Sequence, residues 1–348
     1  MNFIQQLIDK AKSAPAQLPT RISIPTENVD NAKKIGVPLN KDLYFQIRVN
    51  ELFLKDKRNW YKQYAPMLFV VSEFSYSGEK RTVPFIVGPQ MMDKFGQNLP
   101  DDMLFLNTRV AGVHPFKGGQ ITLSLILYQY EVGNYLEKML KTLESAANIF
   151  NFATAFSAYM KIAGVLFEGF ESLLGLQNLN PLTGLRIEMS QDADDLNSGY
   201  FVLINTPEGS IDPNQLWVKG NRLYFGKSAS ESKPFRDSDY TLYSILHDES
   251  RSDISELPFY PLWSEVIRDA NDGAADNAEV NMSSFTQSLL SSPDLTFKHA
   301  LSLVGDFRKD LDIIKSLKPK DEKRSGKSET EKRIDEIRSI SLERLKLS

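Results

Sequence analysis

Alternation of apolar and polar residues over a series of short segments is the feature that most constrains the fold of this chain. Over 43–54 the two sets alternate as Leu43, Phe45, Ile47 and Val49 against Tyr44, Gln46, Arg48 and Asn50, which is typical of a half-buried strand. Similar segments predict strands over 66–77, 80–88, 103–113 and 120–130. Short turns, such as Ser77-Gly78 and 117–120, separate them. Antiparallel strands joined in this way predict a β-sandwich or barrel-like domain over 42–131.

The pattern changes from period two to helical spacing at Val132. We therefore expect a central helical hairpin over 132–178, and a smaller β-plus-helix domain over 184–317 with strands near 200–205, 215–226 and 239–248. Ser292-Pro293-Asp294 predicts the start of the last helix of that domain. Residues 1–41 are expected to form a short helix and a proline-punctuated arm, and 318–348 a charged tail with a short helix. The predicted fold class is α+β.

Composition excludes several classes of site. The 348 residues include no cysteine and only three histidines, in separate segments, and the net charge is −4. Thiolate metal sites and cysteine nucleophiles are therefore excluded, and nucleic acid is an unfavourable partner. Phosphate-binding glycine loops and a nucleophile-elbow motif are missing from the sequence. We predict no catalytic residues and no cofactor.

Two acidic patterns have competing interpretations. Asp192, Asp194 and Asp195 place carboxylates at the spacing of a weak calcium site, but the glycine and the closing glutamate of an EF-hand are missing. A solvated loop is the favoured interpretation. Arg251 and Asp253, with Asp248 and Glu249 nearby, have the charges to orient a ligand, but the favoured interpretation is a strand-end turn with exposed ion pairs, which contribute little to stability.

The segment 145–176 is unusually apolar, and between Ser145 and Phe167 only Lys161 is charged. A helix that is apolar on all sides lies either in a core or in lipid. We favour the core. The alternative is a membrane-inserting or oligomerising face formed by Phe150, Phe156, Tyr159 and Phe167.

Two groups of side chains are candidates for contacts with other proteins. Aromatic residues are frequent anchors in interfaces, and the first group comprises Trp60, Tyr61, Phe259, Tyr260 and Trp263, although packing in a core explains them equally well. The second group is an apolar stripe of the tail, formed by Ile334, Ile337 and Leu345. Residues 315–348 carry 11 basic and 7 acidic side chains, and the mixed charge favours docking to protein over binding to nucleic acid.

These patterns favour a cytoplasmic, non-catalytic scaffold or adaptor that binds other proteins or further copies of itself. The second hypothesis is a membrane-acting effector that inserts or docks 145–176, and the third is a hydrolase whose active site is assembled from dispersed residues. We expect no signal peptide and no transmembrane span, because the sequence contains no run of eighteen apolar residues.

The tail is expected to be separable from the folded core. Residues 318–330 carry many charges and almost no apolar side chain, so contacts cannot compensate the entropy lost on ordering them. Brief trypsin treatment should cleave between Lys318 and Lys332 and leave a resistant core on a gel. Digestion of core and tail at the same rate would contradict this prediction.

Overall fold

The computed structural model describes residues 19–55, 58–59, 62–87, 103–131, 179–191 and 195–316. The helices of these ranges are α1 (Tyr260–Asn271), α2 (Ala275–Leu290) and α3 (Phe297–Ser316). The strands are β1 (Thr20–Ile24), β2 (Tyr44–Phe53), β3 (Arg58–Asn59), β4 (Lys62–Tyr76), β5 (Glu79–Val87), β6 (Met103–Pro115), β7 (Gln120–Glu131), β8 (Leu179–Ser190), β9 (Gly199–Ile204), β10 (Leu216–Lys219), β11 (Arg222–Phe225), β12 (Lys233–Pro234) and β13 (Tyr240–Asp248). The α+β class is confirmed. The predicted helical hairpin at 132–178 lies outside the described residues.

The strands form three antiparallel sheets. The central sheet has the order β1-β9-β13-β2-β6. The outer sheet has the order β3-β4-β7-β8, with β5 also paired to β4, and the small sheet has the order β10-β11-β12. Ser77-Gly78 and Gly220-Asn221 form tight turns with positive φ at both residues, as two-residue hairpin turns require.

The predicted division into separate β domains over 42–131 and 184–317 does not describe the sheets. In the central sheet β13 pairs with β2 along its whole length, and Ile245 lies opposite Ile47. In the outer sheet β8 pairs with β7. Strands from both predicted domains therefore share sheets, and local patterning could not reveal pairings between such distant segments. Residues 20–24, predicted as part of an extended arm, form edge strand β1.

One face of the central sheet packs on the outer sheet. Phe45, Ile47 and Val49 of β2 and Tyr243 and Ile245 of β13 enter one apolar core together with side chains of β4, β5, β7 and β8. This is the predicted sandwich, although its two sheets are drawn from distant parts of the chain. Burial of so many large apolar groups is the main contribution to its stability.

The opposite face of the central sheet is covered by two different layers. The small sheet covers one end, where Tyr240 and Leu242 of β13 pack with Leu216, Val218 and Leu223. The three helices form a bundle at the other end, and its apolar core includes Tyr44 of β2. The prediction of a half-buried β2 was therefore wrong, because both faces of the strand are covered.

The start of the last helix differs from the prediction. The hydroxyl of Thr296, and not that of Ser292, accepts the N–H of His299 at 3.2 Å and caps α3. Ser292 instead accepts the N–H of Asp294 at 3.2 Å in the preceding turn. A serine, a proline and an acidic residue favour both a turn and a helix start, so the sequence alone could not distinguish them.

Trp263 is the central side chain of the bundle, with 1% of its surface exposed and its ring 4.7 Å from that of Phe307. Trp263→Ala should lower the free energy of unfolding by about 3–5 kcal/mol, because it opens a cavity. Phe297→Ala is the matched control, since Phe297 is 65% exposed and should change stability by only about 0.5 kcal/mol. Urea denaturation measures both, and equal losses would contradict the assignment.

Candidate functional site

The surface of the helical bundle carries an apolar groove between α2 and α3. Its volume is about 660 Å³, and its lining side chains are Met282, Ser283, Thr286, Gln287, Leu290, Ser291, Val304 and Arg308. The apolar members come from both helices, so the groove exists only because α2 and α3 pack side by side. It is wide open to solvent along one side, as a docking groove for an extended or helical segment would be.

An exposed apolar stripe continues the groove along α3. Phe297 is 65% exposed and Leu301 is 49% exposed. Spacings of four and three residues place both on the same face of the helix as Val304. Their spacing in the sequence predicts an apolar side of the helix but does not show that they lie outside the core. The buried side is formed by Leu303, Phe307, Leu311 and Ile314.

An ion-pair cluster fixes the two helices at the end of the groove. Arg308 donates through both terminal nitrogens to Glu279, at 2.6 and 3.1 Å, and Lys315 also contacts this carboxylate. These contacts lower the pKa of Glu279, with the hydrogen bond from Lys315 as the largest cause. The cluster joins α2 to α3 beside the groove, and its charged groups border the apolar lining.

A buried polar network holds the bundle against the central sheet. The Tyr44 hydroxyl on β2 accepts the N–H of Thr296 at 3.1 Å and lies 2.8 Å from Nδ1 of His299. Because that hydroxyl already accepts one hydrogen bond, we assign it as the donor to His299, whose ring is then neutral. Burial raises the pKa of the Tyr44 hydroxyl to about 12. Burial is also the main reason why the pKa of His299 is lowered to about 4.

Arg251 extends this network and corrects the prediction of an exposed ion pair. Its side chain is 1% exposed and binds Asp253 with two hydrogen bonds, at 2.5 and 2.8 Å. It also donates to the carbonyl oxygen of Asp294 at 2.9 Å. Tyr76 of the outer sheet donates to the carboxylate of Asp294 at 3.0 Å. The loop before α3 is thus bound to the central sheet through Tyr44 and to the outer sheet through Tyr76. These bonds attach the helical bundle to the sandwich.

The remaining histidines do not form a catalytic pair in the described part of the chain. His114 is buried, and this burial lowers its pKa to about 3. His247 lies 3.1 Å from the hydroxyl of Ser198, but that hydroxyl donates to the carbonyl of Val37 at 2.8 Å. A serine whose proton is directed to a backbone carbonyl is not activated by the imidazole. This geometry does not favour the hydrolase hypothesis.

Two of the aromatic residues that were predicted as interface anchors lie in the core. Phe259 and Trp263 are buried among the helices, so their prediction as exposed anchors was wrong, and the alternative explanation by core packing holds. Tyr260 is half-buried against Phe307. The other predicted contact and membrane residues lie outside the described ranges: Trp60, Tyr61, Phe150, Phe156, Tyr159, Phe167, Ile334, Ile337 and Leu345.

Of the weak calcium candidates, only Asp195 is described; Asp192 and Asp194 are not. The Asp195 carboxylate accepts the N–H of Ser190 at 2.7 Å and closes the turn after β8. Within the described ranges no three metal-ligating side chains cluster. No helix in those ranges has the length and apolar character needed to cross a membrane.

Comparison with protein-family models, with curated protein sequences and with solved structures finds no match to this chain in any of the three.

His299 makes stability depend on pH in a defined direction. Its pKa is about 4 in the folded protein against an ordinary 6.5, so only the unfolded chain takes up this proton between those values. The free energy of unfolding should therefore fall as pH drops from about 6.5 to about 4, by roughly 3 kcal/mol for this group. Above pH 6.5 the group has no effect.

His299→Gln should make this pH dependence shallower, because an amide oxygen can still accept the Tyr44 hydroxyl but does not titrate. His114 would account for part of the remaining slope, since it titrates over an overlapping range. Urea denaturation of both proteins at pH 7.5, 5.5 and 4.5 measures the difference. An unchanged slope in the variant would show that His299 is not the titrating group.

Proposed function

We propose that this protein is a non-catalytic scaffold or adaptor that uses the groove between α2 and α3 to bind an amphipathic helix. The observation that carries the proposal is the exposed stripe of Phe297 and Leu301 beside the groove. Exposed apolar side chains that adjoin a groove mark interaction surfaces, and an apolar face laid into a groove is a common mode of helix recognition.

The occupant we propose is segment 331–347 of the same chain. Ile334, Ile337 and Leu345 follow helical spacing and would present one apolar face, as groove-binding helices do. The described part of α3 ends at Ser316, which leaves residues 317–330 as a connection.

The connection is long enough for this contact. Fully extended, 317–330 spans about 46–50 Å, whereas the length of α3 from Ser316 back to Phe297 is about 29 Å. A short tether also gives the segment a high effective concentration at the groove, on the order of millimolar. In an assembly, a partner helix with the same apolar pattern would displace the tail, and this exchange is the proposed adaptor function.

The test uses the full chain and a fluorescent peptide of sequence 331–347. Wild-type protein should bind the peptide weakly, because its own segment fills the groove. Ile334→Asp/Ile337→Asp should release that segment and bind the peptide at least tenfold more tightly, as measured by fluorescence anisotropy. Adding Leu301→Asp to this double variant should abolish binding.

Ile313→Asp supplies the matched control. Ile313 is 47% exposed, almost as much as Leu301, but helical spacing places it on the opposite side of α3 from Val304. Added to the double variant, it should leave peptide binding unchanged. Equal losses with Leu301→Asp and Ile313→Asp, or no peptide binding by the double variant, would contradict the proposal.

A further inference from the structure

Four side chains form a continuous row across the central sheet. Tyr200 of β9 lies opposite Ser244 of β13, Ser244 lies opposite Arg48 of β2, and Arg48 lies opposite Arg109 of β6. Residues directly opposite each other in antiparallel strands project to the same face, with Cβ atoms about 4.5–5.5 Å apart. The row therefore places two guanidinium groups and two hydroxyl groups side by side.

The row lies between the two layers that cover this face of the sheet. Leu242, two residues before Ser244, packs in the core with the small sheet. Tyr44, four residues before Arg48, packs in the core of the helical bundle. Tyr200, at one end of the row, belongs to the core with the small sheet, and its hydroxyl donates to Oδ1 of Asn221 at 2.5 Å. Ser244, Arg48 and Arg109 follow it between that core and the core of the helical bundle.

Among the described residues, the groups that accept hydrogen bonds from Arg48 are all neutral. Its Nε and Nη2 donate to Oδ1 and the backbone oxygen of Asn107, at 2.8 and 2.7 Å, and its Nη1 donates to Oε1 of Gln46 at 3.0 Å. Asn107 has a positive φ of 39°, at an irregularity in the pairing of β6 with β2. Such irregularities redirect side chains at functional sites.

Arg48 and Arg109 are two neighbouring positive charges in this row. In the described part of the chain no carboxylate forms an ion pair with Arg48 or Arg109, and the carboxylate of Asp248 is bound by Lys34 and by Gln46. Burial and the charge of Arg109 lower the pKa of Arg48, and they outweigh the opposing effect of the Asp248 carboxylate. Partly buried charges are stable when they are paired with an opposite charge. A bound anion would therefore lower the electrostatic cost of placing the two guanidinium groups together.

Buried polar atoms in and beside the row point to the same conclusion. Ser244 is fully buried, and its Oγ makes no hydrogen bond within the described structure; Oδ1 of neighbouring Asn50 also has none. A buried hydroxyl without a partner is costly, and such groups in folded proteins usually serve a ligand or a specific role. Ser244 adds a donor next to the two arginines.

We propose that this row is a binding site for the phosphate group of a small phosphate ester. A phosphate monoester carries a charge of about −1.5 to −2 at neutral pH, which matches two arginines better than the single charge of a carboxylate. Guanidinium groups bind phosphate oxygens in pairs, and this geometry makes arginine the preferred partner. Ser244 would donate to the same group, and Arg109 at the end of the row would contact it from β6.

The experiment measures thermal unfolding and isothermal titration of the full chain with glycerol phosphate, inorganic phosphate, and acetate or chloride at equal ionic strength. Glycerol phosphate should raise Tm and bind; acetate and chloride should not.

Arg109→Gln should raise Tm without ligand, because it removes like-charge repulsion, and should weaken binding about tenfold or more. Ser244→Ala should fold as stably as wild type and bind several-fold more weakly. Arg268→Gln, an exposed arginine on α1, should behave as wild type.

Three results would overturn the proposal. The first is stabilisation by chloride or acetate equal to that by glycerol phosphate, which would indicate screening only. The second is undiminished binding by Arg109→Gln. The third is binding of inorganic phosphate without binding of the ester. None of these results bears on the helix groove, which lies on a different layer and is tested with a peptide.

Discussion

The pairing of β2 with β13 is the interaction on which the other layers depend. It joins residues about 200 positions apart in the chain and gives the central sheet two buried faces. One face supports the outer sheet, and the other supports both the small sheet and the helical bundle. Loss of this pairing would remove the common support of all three layers.

Buried ionisable groups attach the small sheet and the helical bundle to the central sheet. Glu51 of β2 is fully buried and accepts the N–H of Leu223 in the small sheet at 2.8 Å, and burial raises its pKa. At the other end Arg251 and Tyr44 bind the loop before α3. Desolvating such groups is costly, so they favour only the arrangement in which their hydrogen bonds are made. Apolar packing supplies the stability, and these groups define the position of each layer.

Sequence analysis predicted what local patterning determines. The alternation in 43–54 and the glycine-containing turns gave strands and hairpins close to those observed, because period-two patterning and positive φ are local properties. The interleaving of distant strands in one sheet was missed, since pairing partners leave no local trace. The burial of Arg251 was missed for the same reason, because its partner Asp294 is 43 residues further along the chain.

The two proposed sites both occur where a local rule is broken. The row of Arg48 and Arg109 places two like charges side by side between the two apolar cores that cover this face of the sheet. The stripe of Phe297 and Leu301 places apolar side chains in solvent on a helix whose other side is already buried. Departures of this kind cost stability, and proteins retain them chiefly where function requires them. Neither departure is visible in the sequence, because a charged residue in a strand or an apolar residue in an amphipathic helix is ordinary until the covering layers are placed. The covering layers then determine which residues stay accessible: Arg48 and Arg109 remain partly exposed between the small sheet and the bundle, and the groove remains open on the outer side of the bundle.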